Sequence, residues 1–389
     1  MMNSMITTTP TPDLVHGIAD LEETARGLRP HRLPAWVRRQ YPEPQLMAME
    51  AQPSGVRVAV RTTATRIELV THPAPVVYPG TKRPRGRVDV VVDGGLVVGD
   101  ELTGGDATEV DLATGALRQV PGPSHTTIVD GLPPTWKAIE FWLPYNESLE
   151  LVSLVSDAPL EPLEQQRPRW IHHGSSISQG SNAASPSQIW PAVAARRGGV
   201  DLVNLGVGGS SFIDPFMARV IRDAPADYIS LAFGINIVNL DALRVRTLVP
   251  AIHGFLDTLR DGHATTPLVL ISPIFCGIHE DTPGPGAFDP ATFATGQVKF
   301  IATGTAGDEA LGRLTLQVIR REMRSLLERR ADDVNLHFLD NLELYGEPDA
   351  ADLPLPDNLH PDTATHRLIG DRFADYAFAS SGPFVGSAR

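Results

Sequence analysis

The sequence predicts an α/β protein with an N-terminal β-sandwich, of jelly-roll-like type, followed by an α/β domain built on a parallel sheet. Three observations lead to this prediction. The chain has 389 residues, which favours two domains over one. Apolar residues alternate with period two between residues 55 and 155, and strand-like runs alternate with helical patterns after residue 168. We therefore expect a sandwich domain over 1–160 and an α/β domain over 168–389.

Short alternating stretches, separated by glycine and proline turns, characterise the first half. In GVRVAVR, Val56, Val58 and Val60 fall on one face, and Arg57 and Arg61 fall on the other. RVDVVVDGG repeats the alternation and ends in Asp93-Gly94, a pair typical of hairpin turns. Many short strands without a long helical pattern indicate a β-sandwich or jelly roll. Residues 17–40 have a partly helical pattern and are predicted to lead into it.

Strands and helices alternate in the second half, after a proline-rich linker at 158–169. The runs predicted to be strands are RWIHH, VDLVNLG, DYISLAFG, PLVLISPIF and VNLHFLD. Helical patterns lie between and after them, around 188–197, 214–223, 240–261, 307–331 and 362–379. This order is typical of βαβ units, whose sheets bind ligands in loops beyond the carboxyl ends of their strands. The loop-rich segment 277–306 is long enough to be functional or mobile.

The composition argues against several classes of protein. The formal net charge is −13, and an acidic surface repels phosphate backbones, so we expect no nucleic-acid partner. The single cysteine, Cys276, excludes an internal disulfide and fits a reducing compartment. Neither a membrane span nor a signal peptide is predicted, because long apolar runs are missing and the first thirty residues contain acids. We therefore expect a soluble cytoplasmic protein without a membrane partner.

The stretch HHGSSISQGS, residues 172–181, follows the first strand of the second half and allows three interpretations. It is a phosphate-binding loop, a turn that presents a nucleophilic serine, or an ordinary tight turn. It lacks the Walker pattern, the GxGxxG pattern and the GxSxG elbow of α/β-hydrolases. His172 and His173 do not predict a metal site, because adjacent residues of a strand point to opposite faces.

The nucleophile interpretation requires a base and a group that orients it, since a serine hydroxyl is weak at neutral pH. LPDNLHP supplies Asp357 and His360 after the last strand, between two prolines that stiffen the loop. Asp357 can accept from one ring nitrogen of His360 and leave the other for Ser176. Asp340, after the VNLHFLD strand, is the alternative orienting carboxylate.

The oxyanion of acyl transfer needs hydrogen-bond donors, and two further strand ends offer them. NLGVGG, residues 204–209, provides glycine N–H groups, with Gly209 the first candidate and Gly208 its alternative. FGIN provides the side-chain amide of Asn236. Ser175 and Ser178 are interpreted as structural residues of the turn.

These four stretches, in this order, resemble the SGNH (or GDSL) serine hydrolase family. The first block matches Gly174-Ser175-Ser176-Ile177-Ser178, and the second block places its glycine at Gly209. The third matches Gly234-Ile235-Asn236-Ile237, and the last matches Asp357 and His360. The resemblance implies a flavodoxin-like three-layer α/β/α domain and the following roles: Ser176 as nucleophile, His360 as base, Asp357 as orienting group, and Ser176 N–H, Gly209 N–H and Asn236 as oxyanion hole.

Two positions depart from the family pattern. Ser175 and Ile237 stand where the family usually has aspartates, so the polar support behind the site is changed while every catalytic group is retained. The first half is similar to the N-terminal module of a two-domain subgroup of the family. That resemblance implies O-acylation of a polyketide-type small-molecule hydroxyl by an acyl thioester such as salicylyl-CoA. The alternative is an esterase acting on acyl esters of small molecules or carbohydrates.

No bound cofactor or metal is predicted, but acyl-CoA is a possible co-substrate, and the partners are a small-molecule acyl donor and a hydroxyl acceptor. TKRPRGR, residues 81–87, bears on this prediction because it is basic in an otherwise acidic chain. The run is either a solvated loop or a grip for the phosphates of coenzyme A. Its cationic residues are Lys82, Arg83, Arg85 and Arg87. A binding module without enzymatic activity is the remaining hypothesis.

Overall fold

The computed structural model describes residues 5–79, 83–111, 114–164, 166–293 and 298–385. The chain divides into two compact units. The first comprises Met1–Gln166 with Ser185–Ser187, and the second comprises Arg167–Ala184 with Gln188–Arg389. Within the described ranges, no helix has the length and apolar character needed to cross a membrane.

The first unit is an antiparallel β domain with two short helices, α1 (Ala35–Gln40) and α2 (Pro44–Glu50). Its described strands are β1 (Ile6–Thr8), β2 (Val15–His16), β3 (Asp20–Glu23), β4 (Leu28–His31), β5 (Arg57–Thr62), β6 (Ile67–Ala74), β7 (Val76–Val77), β8 (Arg87–Val92), β9 (Gly95–Glu101), β10 (Ala107–Val110), β11 (Leu117–Val120), β12 (His125–Val129), β13 (Lys137–Trp142), β14 (Ser148–Ser156) and β15 (Leu160–Pro162).

Two large sheets form the sandwich. One has the order β12–β6–β14–β4–β3 with β1 also on β14, and the other has β15–β5–β13–β8–β9 with β2 also on β5. Strands β11, β10 and β7 make a smaller sheet. Alternate side chains of both large sheets enter one apolar core, which contains Val58, Ile67, Val90, Phe141 and Leu151. This confirms the predicted sandwich.

The predicted hairpin at Asp93-Gly94 is present between β8 and β9. Asp93 has φ +46° and Gly94 has φ +83°, so both residues adopt the left-handed backbone that a two-residue hairpin turn requires. Asp93 Oδ1 also accepts from Ala138 N–H at 2.9 Å, which ties the turn to β13.

The leading segment is largely extended, in contrast to the helical pattern predicted for 17–40. Only α1, at its end, is helical, while β3 and β4 pair as an antiparallel hairpin. The hairpin lies against β14, where a Cβ on Gly27 would be 2.1 Å from the carbonyl oxygen of Leu151. Backbone pairing with the sheet therefore outweighs the local helix propensity of ADLEETAR.

The sheet formed by β5, β13 and β8 has one face on the apolar core. Its opposite face, where the alternating sequence pattern predicts solvent-exposed charged residues, is partly buried. Arg57 is 1% exposed, with its guanidinium 5.0 Å from the ring centre of Trp142. Asp89 is fully buried, and its Oδ2 accepts hydrogen bonds from the hydroxyls of Ser185 and Ser187, which belong to the same unit. Arg57 and Asp89, at outward positions of these strands, are thus buried with a cation–π partner and hydrogen-bond partners respectively, whereas Arg61 of β5 is exposed.

The second unit alternates strands and helices. Its described strands are β16 (Arg169–Gly174), β17 (Asp201–Gly206), β18 (Tyr228–Ala232), β19 (Leu268–Ile271), β20 (Gly286–Phe288), β21 (Phe300–Ala302) and β22 (Leu336–Leu339). Its described helices are α3 (Ser176–Gln179), α4 (Trp190–Gly198), α5 (Pro215–Asp223), α6 (Ile235–Asn239), α7 (Val245–Gly262), α8 (Pro290–Phe293), α9 (Leu316–Glu328), α10 (Glu347–Asp352) and α11 (Thr363–Ala377).

The sheet has the order β17–β16–β18–β19–β22, and every pair in it is parallel. This 2-1-3-4-5 arrangement is the flavodoxin-like order, so the predicted fold class is confirmed. Helix α4 packs on α11, and α7 packs on both α5 and α9. With right-handed crossovers these groups cover opposite faces of the sheet, and the carboxyl ends of all five strands meet at one edge.

Helix α11 is joined to α4 by a buried histidine, His366. Its Nδ1 accepts from Trp190 N–H at 3.2 Å, and its Nε2 donates to Ser181 C=O at 2.9 Å. One ring nitrogen must therefore remain unprotonated. Burial is the main reason why the pKa of His366 falls to about 4, and the Ser181 carbonyl offsets the effect only in part.

This arrangement predicts a stability loss on acidification. The folded-state pKa of His366 lies below its unfolded value, so the unfolded chain binds the proton first and stability falls as the pH drops from about 6.5 to about 4. The contribution is on the order of 3 kcal/mol. His366→Gln retains a donor and an acceptor but cannot titrate. Urea unfolding at several pH values should give the variant a slope against pH that is shallower by close to one proton, and equal slopes would contradict this prediction.

Candidate active site

The turn after β16 is shaped by two glycines. A Cβ on Gly174 would lie 2.3 Å from Ser178 Oγ, and one on Gly206 would lie 2.5 Å from Gln179 N. Without side chains at these points, α3 packs directly on the ends of β16 and β17. Ser175 caps the helix, since its Oγ accepts from Ile177 N–H at 3.3 Å. Ser176 is thereby placed at the first position of α3, at the carboxyl edge of the sheet.

A buried histidine beneath the turn supports it. His172 Nε2 lies 2.7 Å from Ser178 Oγ, and its Nδ1 lies 2.7 Å from Ser230 Oγ on β18. Trp170 Nε1 donates to the same Ser230 hydroxyl. Burial, with a smaller contribution from neighbouring His173, holds the pKa of His172 well below its ordinary value. A neutral ring between two hydroxyls fixes the turn, in agreement with the structural role predicted for Ser178.

Ser176, His360 and Asp357 form one hydrogen-bonded chain. Ser176 Oγ is 2.9 Å from His360 Nε2, and His360 Nδ1 is 2.8 Å from Asp357 Oδ2. The loop that carries Asp357 and His360 lies between α10 and α11, beyond the last strand of the sheet. The structure therefore brings together the three residues that the sequence predicted as nucleophile, base and orienting group.

Asp357 accepts four hydrogen bonds, which occupy both carboxylate oxygens. Oδ1 accepts the N–H groups of Leu359 and His360, at 3.0 and 2.7 Å. Oδ2 accepts from the His360 ring and from Asn182 Nδ2, the latter at 3.1 Å. Burial raises the pKa of Asp357, but the His360 ring and the N–H donors outweigh burial and hold the pKa below its ordinary value. Asp357 is therefore an ionised, fixed acceptor.

The second strand end holds Gly209 and Gly208, and the structure distinguishes between them. Gly208 N–H donates to Gln179 Oε1 at 2.7 Å and is occupied by that bond. Gly209 has φ +69°, and its N–H makes no hydrogen bond to any other described residue. The Gln179 bond also fastens this loop to α3. Of the two glycines, Gly209 is the one that retains a donor.

Asn236 lies at the third strand end, in the first turn of α6. It is 5% exposed, and its Oδ1 accepts from Ser211 N–H at 3.1 Å. This bond orients the amide and leaves Nδ2 without a partner in the described ranges. Helix α6 begins after Gly234, whose φ of +140° allows the sharp turn out of β18. The bonds through Gln179 and Ser211 link α3, the glycine loop and Asn236.

Both departures from the family pattern are explained by local packing. Ser175 caps α3 with its hydroxyl and lines a cavity of about 40 Å³, together with Ser178, Trp190 and Asn341. Ile237 is fully buried in α6. Neither position supplies a carboxylate, so the polar support comes from His172, Gln179 and Asn182 instead.

Other residues singled out from the sequence lie outside this chain of bonds. Asp340, the alternative orienting carboxylate, accepts from Ser272 Oγ and pairs with Arg324. His173 Nδ1 donates to Leu205 C=O, so the two adjacent histidines point to opposite faces as expected. Trp190 is 4% exposed and packs in the core of the second unit.

The basic run of the first unit is only partly described, because Lys82 lies outside the described residues. Arg85 binds Glu147 through two hydrogen bonds, of 3.0 and 2.7 Å. Arg87 lies 3.8 Å from Glu101. Arg83 is exposed and has no ion pair with a described residue. Arg85 is thus paired with a buried carboxylate, whereas the side chains of Arg87 and Glu101 are both exposed and form only a long ion pair.

Three residues of the site were not predicted from the sequence: Asn182, Gln179 and Phe300. Asn182 has φ +67°, and its amide reaches Asp357 across 175 positions of sequence. The ring of Phe300 contacts that of His360 edge to face, with centroids 5.5 Å apart. The sequence features that could have indicated these three residues are the polar turn SQGSN and the length of the segment 277–306. Neither feature identifies the residue that each side chain contacts.

Two family models match the chain, one over each half. The model of the GDSL-like Lipase/Acylhydrolase family matches residues 173–368, about half of the chain. A second family model, described as the N-terminal domain of SsfX3, matches residues 14–151. No curated protein matches the chain.

Solved structures resemble most of the chain. The salicylyl-acyltransferase SsfX3 from a tetracycline biosynthetic pathway is 28% identical over 95% of both chains, with a TM-score of 0.78. A Bacteroides ovatus protein described as GDSL-like lipase is 20% identical over 97% of both chains, with a TM-score of 0.64. A family two carbohydrate esterase from Clostridium thermocellum is 13% identical over 83% of this chain and 91% of its own, with a TM-score of 0.55.

At these identities the last two structures establish the shared fold and nothing about substrates. The match to the GDSL-like family model and the 28% identity to SsfX3 both indicate acyl transfer or hydrolysis, and the chain of hydrogen bonds from Ser176 through His360 to Asp357 contains the groups that this chemistry needs. The chain is therefore an enzyme that transfers or hydrolyses acyl groups, and it belongs to the GDSL-like lipase/acylhydrolase family.

Proposed function

We propose that the enzyme transfers an acyl group from a thioester to the hydroxyl of a small molecule, through an ester formed on Ser176. The observation that supports this most directly is the hydrogen-bonded chain from Ser176 through His360 to Asp357. A serine is activated for attack on a carbonyl when an imidazole accepts its proton and a carboxylate orients the imidazole.

In the first half-reaction, Ser176 Oγ attacks the carbonyl carbon of the donor while its proton passes to His360 Nε2. Asp357 remains ionised, and it stabilises the imidazolium through the bond at Nδ1. When the tetrahedral intermediate collapses, the carbon–sulfur bond breaks. The sulfur leaves either as a thiol that takes the proton from His360 or as a thiolate while His360 gives that proton to solvent, so the imidazole is neutral again. The acyl group then remains as an ester on Ser176.

In the second half-reaction, His360 accepts the proton of the acceptor hydroxyl as its oxygen attacks the ester. Collapse of the second intermediate returns a proton from His360 to Ser176 Oγ and releases the acylated product. Water can follow the same path, and transfer requires that an oriented acceptor excludes it.

Three donors are proposed to stabilise the oxyanion of both intermediates. They are Ser176 N–H, Gly209 N–H and Asn236 Nδ2. Each is without a hydrogen-bond partner within the described ranges, although Gly208 next to them is occupied. The bond from Ser211 N–H orients the Asn236 amide, and the bond between Gly208 and Gln179 fastens the loop that carries Gly209. Two of the three donors are therefore fixed before substrate binds, which is the condition for effective electrostatic stabilisation.

The proposed donor is an acyl-CoA such as salicylyl-CoA, acting as a co-substrate, and the proposed acceptor is a polyketide-type hydroxyl. The similarity of the full chain to the salicylyl-acyltransferase SsfX3 supports this choice. No bound cofactor is needed for the chemistry. The cytoplasmic location rests on composition and stays a prediction.

An esterase is the second candidate, because the family model that matches residues 173–368 describes lipases and acylhydrolases. In that case water replaces the acceptor in the second half-reaction. The same residues would perform both reactions, so the two candidates are distinguished by their products.

The first prediction concerns the acyl-enzyme. Intact-mass analysis after incubation with a panel of acyl thioesters should reveal an adduct that peptide mapping places on Ser176. Ser176→Ala should form no adduct, whereas Ser175→Ala, which lacks only the helix cap, should still form one. An adduct on another residue, or turnover undiminished in Ser176→Ala, would contradict the proposal.

The same incubations, with candidate hydroxyl compounds present, separate transfer from hydrolysis. Acylated acceptor in the mass spectrum supports the transferase. Free acid alone, at a rate unaffected by every acceptor, supports the esterase.

The second prediction concerns the oxyanion. Asn236→Ala removes one donor and should lower kcat by about 100- to 1000-fold with little change in KM. Asn236→Asp, which can still accept from Ser211 N–H but cannot donate, should lose activity to a similar extent. Asn335→Ala, before the amino end of β22, serves as the control. Full activity of Asn236→Asp would show that the amide donor is not used.

The third prediction concerns the orienting carboxylate. Asp357→Asn should lower kcat by about 10⁴-fold, because an amide does not hold the His360 ring in the required tautomer or stabilise its charge. Asp340→Asn alters the carboxylate that pairs with Arg324 and should leave kcat nearly unchanged. A greater loss in Asp340→Asn than in Asp357→Asn would reverse the assignment.

A further inference from the structure

The segment 277–306 contains an antiparallel β-hairpin in which β20 (Gly286–Phe288) pairs with β21 (Phe300–Ala302). The register joins Gly286 to Ala302 and Phe288 to Phe300. The hairpin is inserted between β19 and α9 and takes no part in the five-stranded sheet. Its contacts with the active site suggest a function in the reaction.

One strand of the hairpin is fixed to the helix that carries Asn236. A Cβ on Gly284 would lie 1.7 Å from Val238 O, and one on Gly286 would lie 1.8 Å from Asn239 Oδ1. Such close approach is available only to glycine. His279 Nε2 reaches the same Asn239 oxygen at 3.2 Å. The start of the hairpin is therefore held against α6.

The other strand is fixed to the loop that carries the base. Phe300 N–H donates to the Asp357 carbonyl at 2.9 Å, and Asn358 Nδ2 donates to the Phe300 carbonyl at 3.1 Å. Asn358 itself has φ +66°. The hairpin thus spans two parts of the proposed machinery, the oxyanion donor on one side and the Asp357–His360 loop on the other.

An aromatic row leads from the base towards solvent. The Phe300 ring meets the His360 ring edge to face, with centroids 5.5 Å apart and an angle of 75°. On its other side Phe300 contacts Phe288, with centroids 4.9 Å apart. Phe288 is 53% exposed. An exposed ring at the end of this row offers a flat apolar surface close to the reacting groups.

We infer that this hairpin forms a wall of the acyl-binding site, in which Phe300 positions the His360 ring and Phe288 packs against a planar aromatic acyl group. The inference rests on the proposed acyl transfer and deepens it, because it names the side chains that would select an aromatic acyl group. Aromatic pairs prefer offset or edge-to-face contact at the distances already present in this row. A small acyl group, such as acetyl, is too short to gain the same contact.

The test compares two thioesters with one leaving group, the benzoyl and acetyl esters of N-acetylcysteamine, with thiol release as the readout. In the wild type we expect a higher kcat/KM for the benzoyl ester. Phe288→Ala should lower kcat/KM for the benzoyl ester by about 3- to 10-fold, mainly through KM, and change the acetyl ester less than about twofold. Phe288→Trp should restore the preference.

Phe300 acts on the reaction through His360, so we expect its substitution to change different kinetic constants from those changed at Phe288. Phe300→Leu should lower kcat for both esters with little change in KM, and Phe300→Tyr should recover most of kcat. Val334→Ala provides the matched control, because Val334 is an apolar residue that is 79% exposed and lies before the amino end of β22, at the opposite edge of the sheet. Thermal unfolding of each variant verifies folding.

The outcomes separate this inference from the proposed function. If Ser176 is acylated but Phe288→Ala affects both esters equally, or neither, the hairpin does not select the acyl group and the acyl-enzyme proposal stands. A wild type that prefers the acetyl ester also overturns the inference. If Ser176 is neither acylated by any thioester nor labelled by a fluorophosphonate, the proposed function fails, and this inference fails with it.

Discussion

The active site depends on a single contact, the hydrogen bond between Ser176 Oγ and His360 Nε2. The two residues are 184 positions apart in the chain, so no local structure can create this contact. It exists because β16 is followed at once by α3, while the loop after α10 returns to the same edge of the sheet. In a parallel sheet all carboxyl ends lie at one edge, and loops from strands distant in sequence meet there.

The contact is maintained by groups that have little freedom to move. Gly174 and Gly206 allow α3 to rest on the strand ends, where side chains would collide with Ser178 and Gln179. On the other side, four donors saturate Asp357, so its carboxylate cannot rotate away from His360 without losing hydrogen bonds. Preorganisation of this kind reduces the rearrangement that must accompany the chemical step.

The polar support behind the site differs from the family pattern without loss of order. Where the family usually places aspartates, this chain has a capping serine and a buried isoleucine. A neutral His172 between two hydroxyls and the amides of Gln179 and Asn182 provide the hydrogen bonds instead. Buried carboxylates are costly unless they are paired, so neutral groups offer a rigid support that does not change charge with pH near neutrality.

Local patterns alone determined much of this protein. The period-two alternation predicted the sandwich, and the alternation of strands and helices predicted the parallel sheet. Polar residues at the ends of strands were the candidates for the site: Ser176, Asn236, Asp357 and His360. Each is a short-range property, because the period of a strand and the polarity of a turn are fixed by neighbouring residues. The helical prediction for 17–40 was wrong over β3 and β4, since pairing with β14 overrode local propensity.

Only the tertiary structure decided which of the candidates meet. In the folded chain, Gly208 N–H donates to Gln179, whereas Gly209 N–H has no hydrogen-bond partner within the described ranges. Asp340 pairs with Arg324 and not with His360, and Asn182 donates to Asp357. Part of a long loop also forms a hairpin whose Phe300 contacts His360. These contacts join residues far apart in the chain, and their partners follow from how the elements pack, which no spacing within a single stretch of sequence contains.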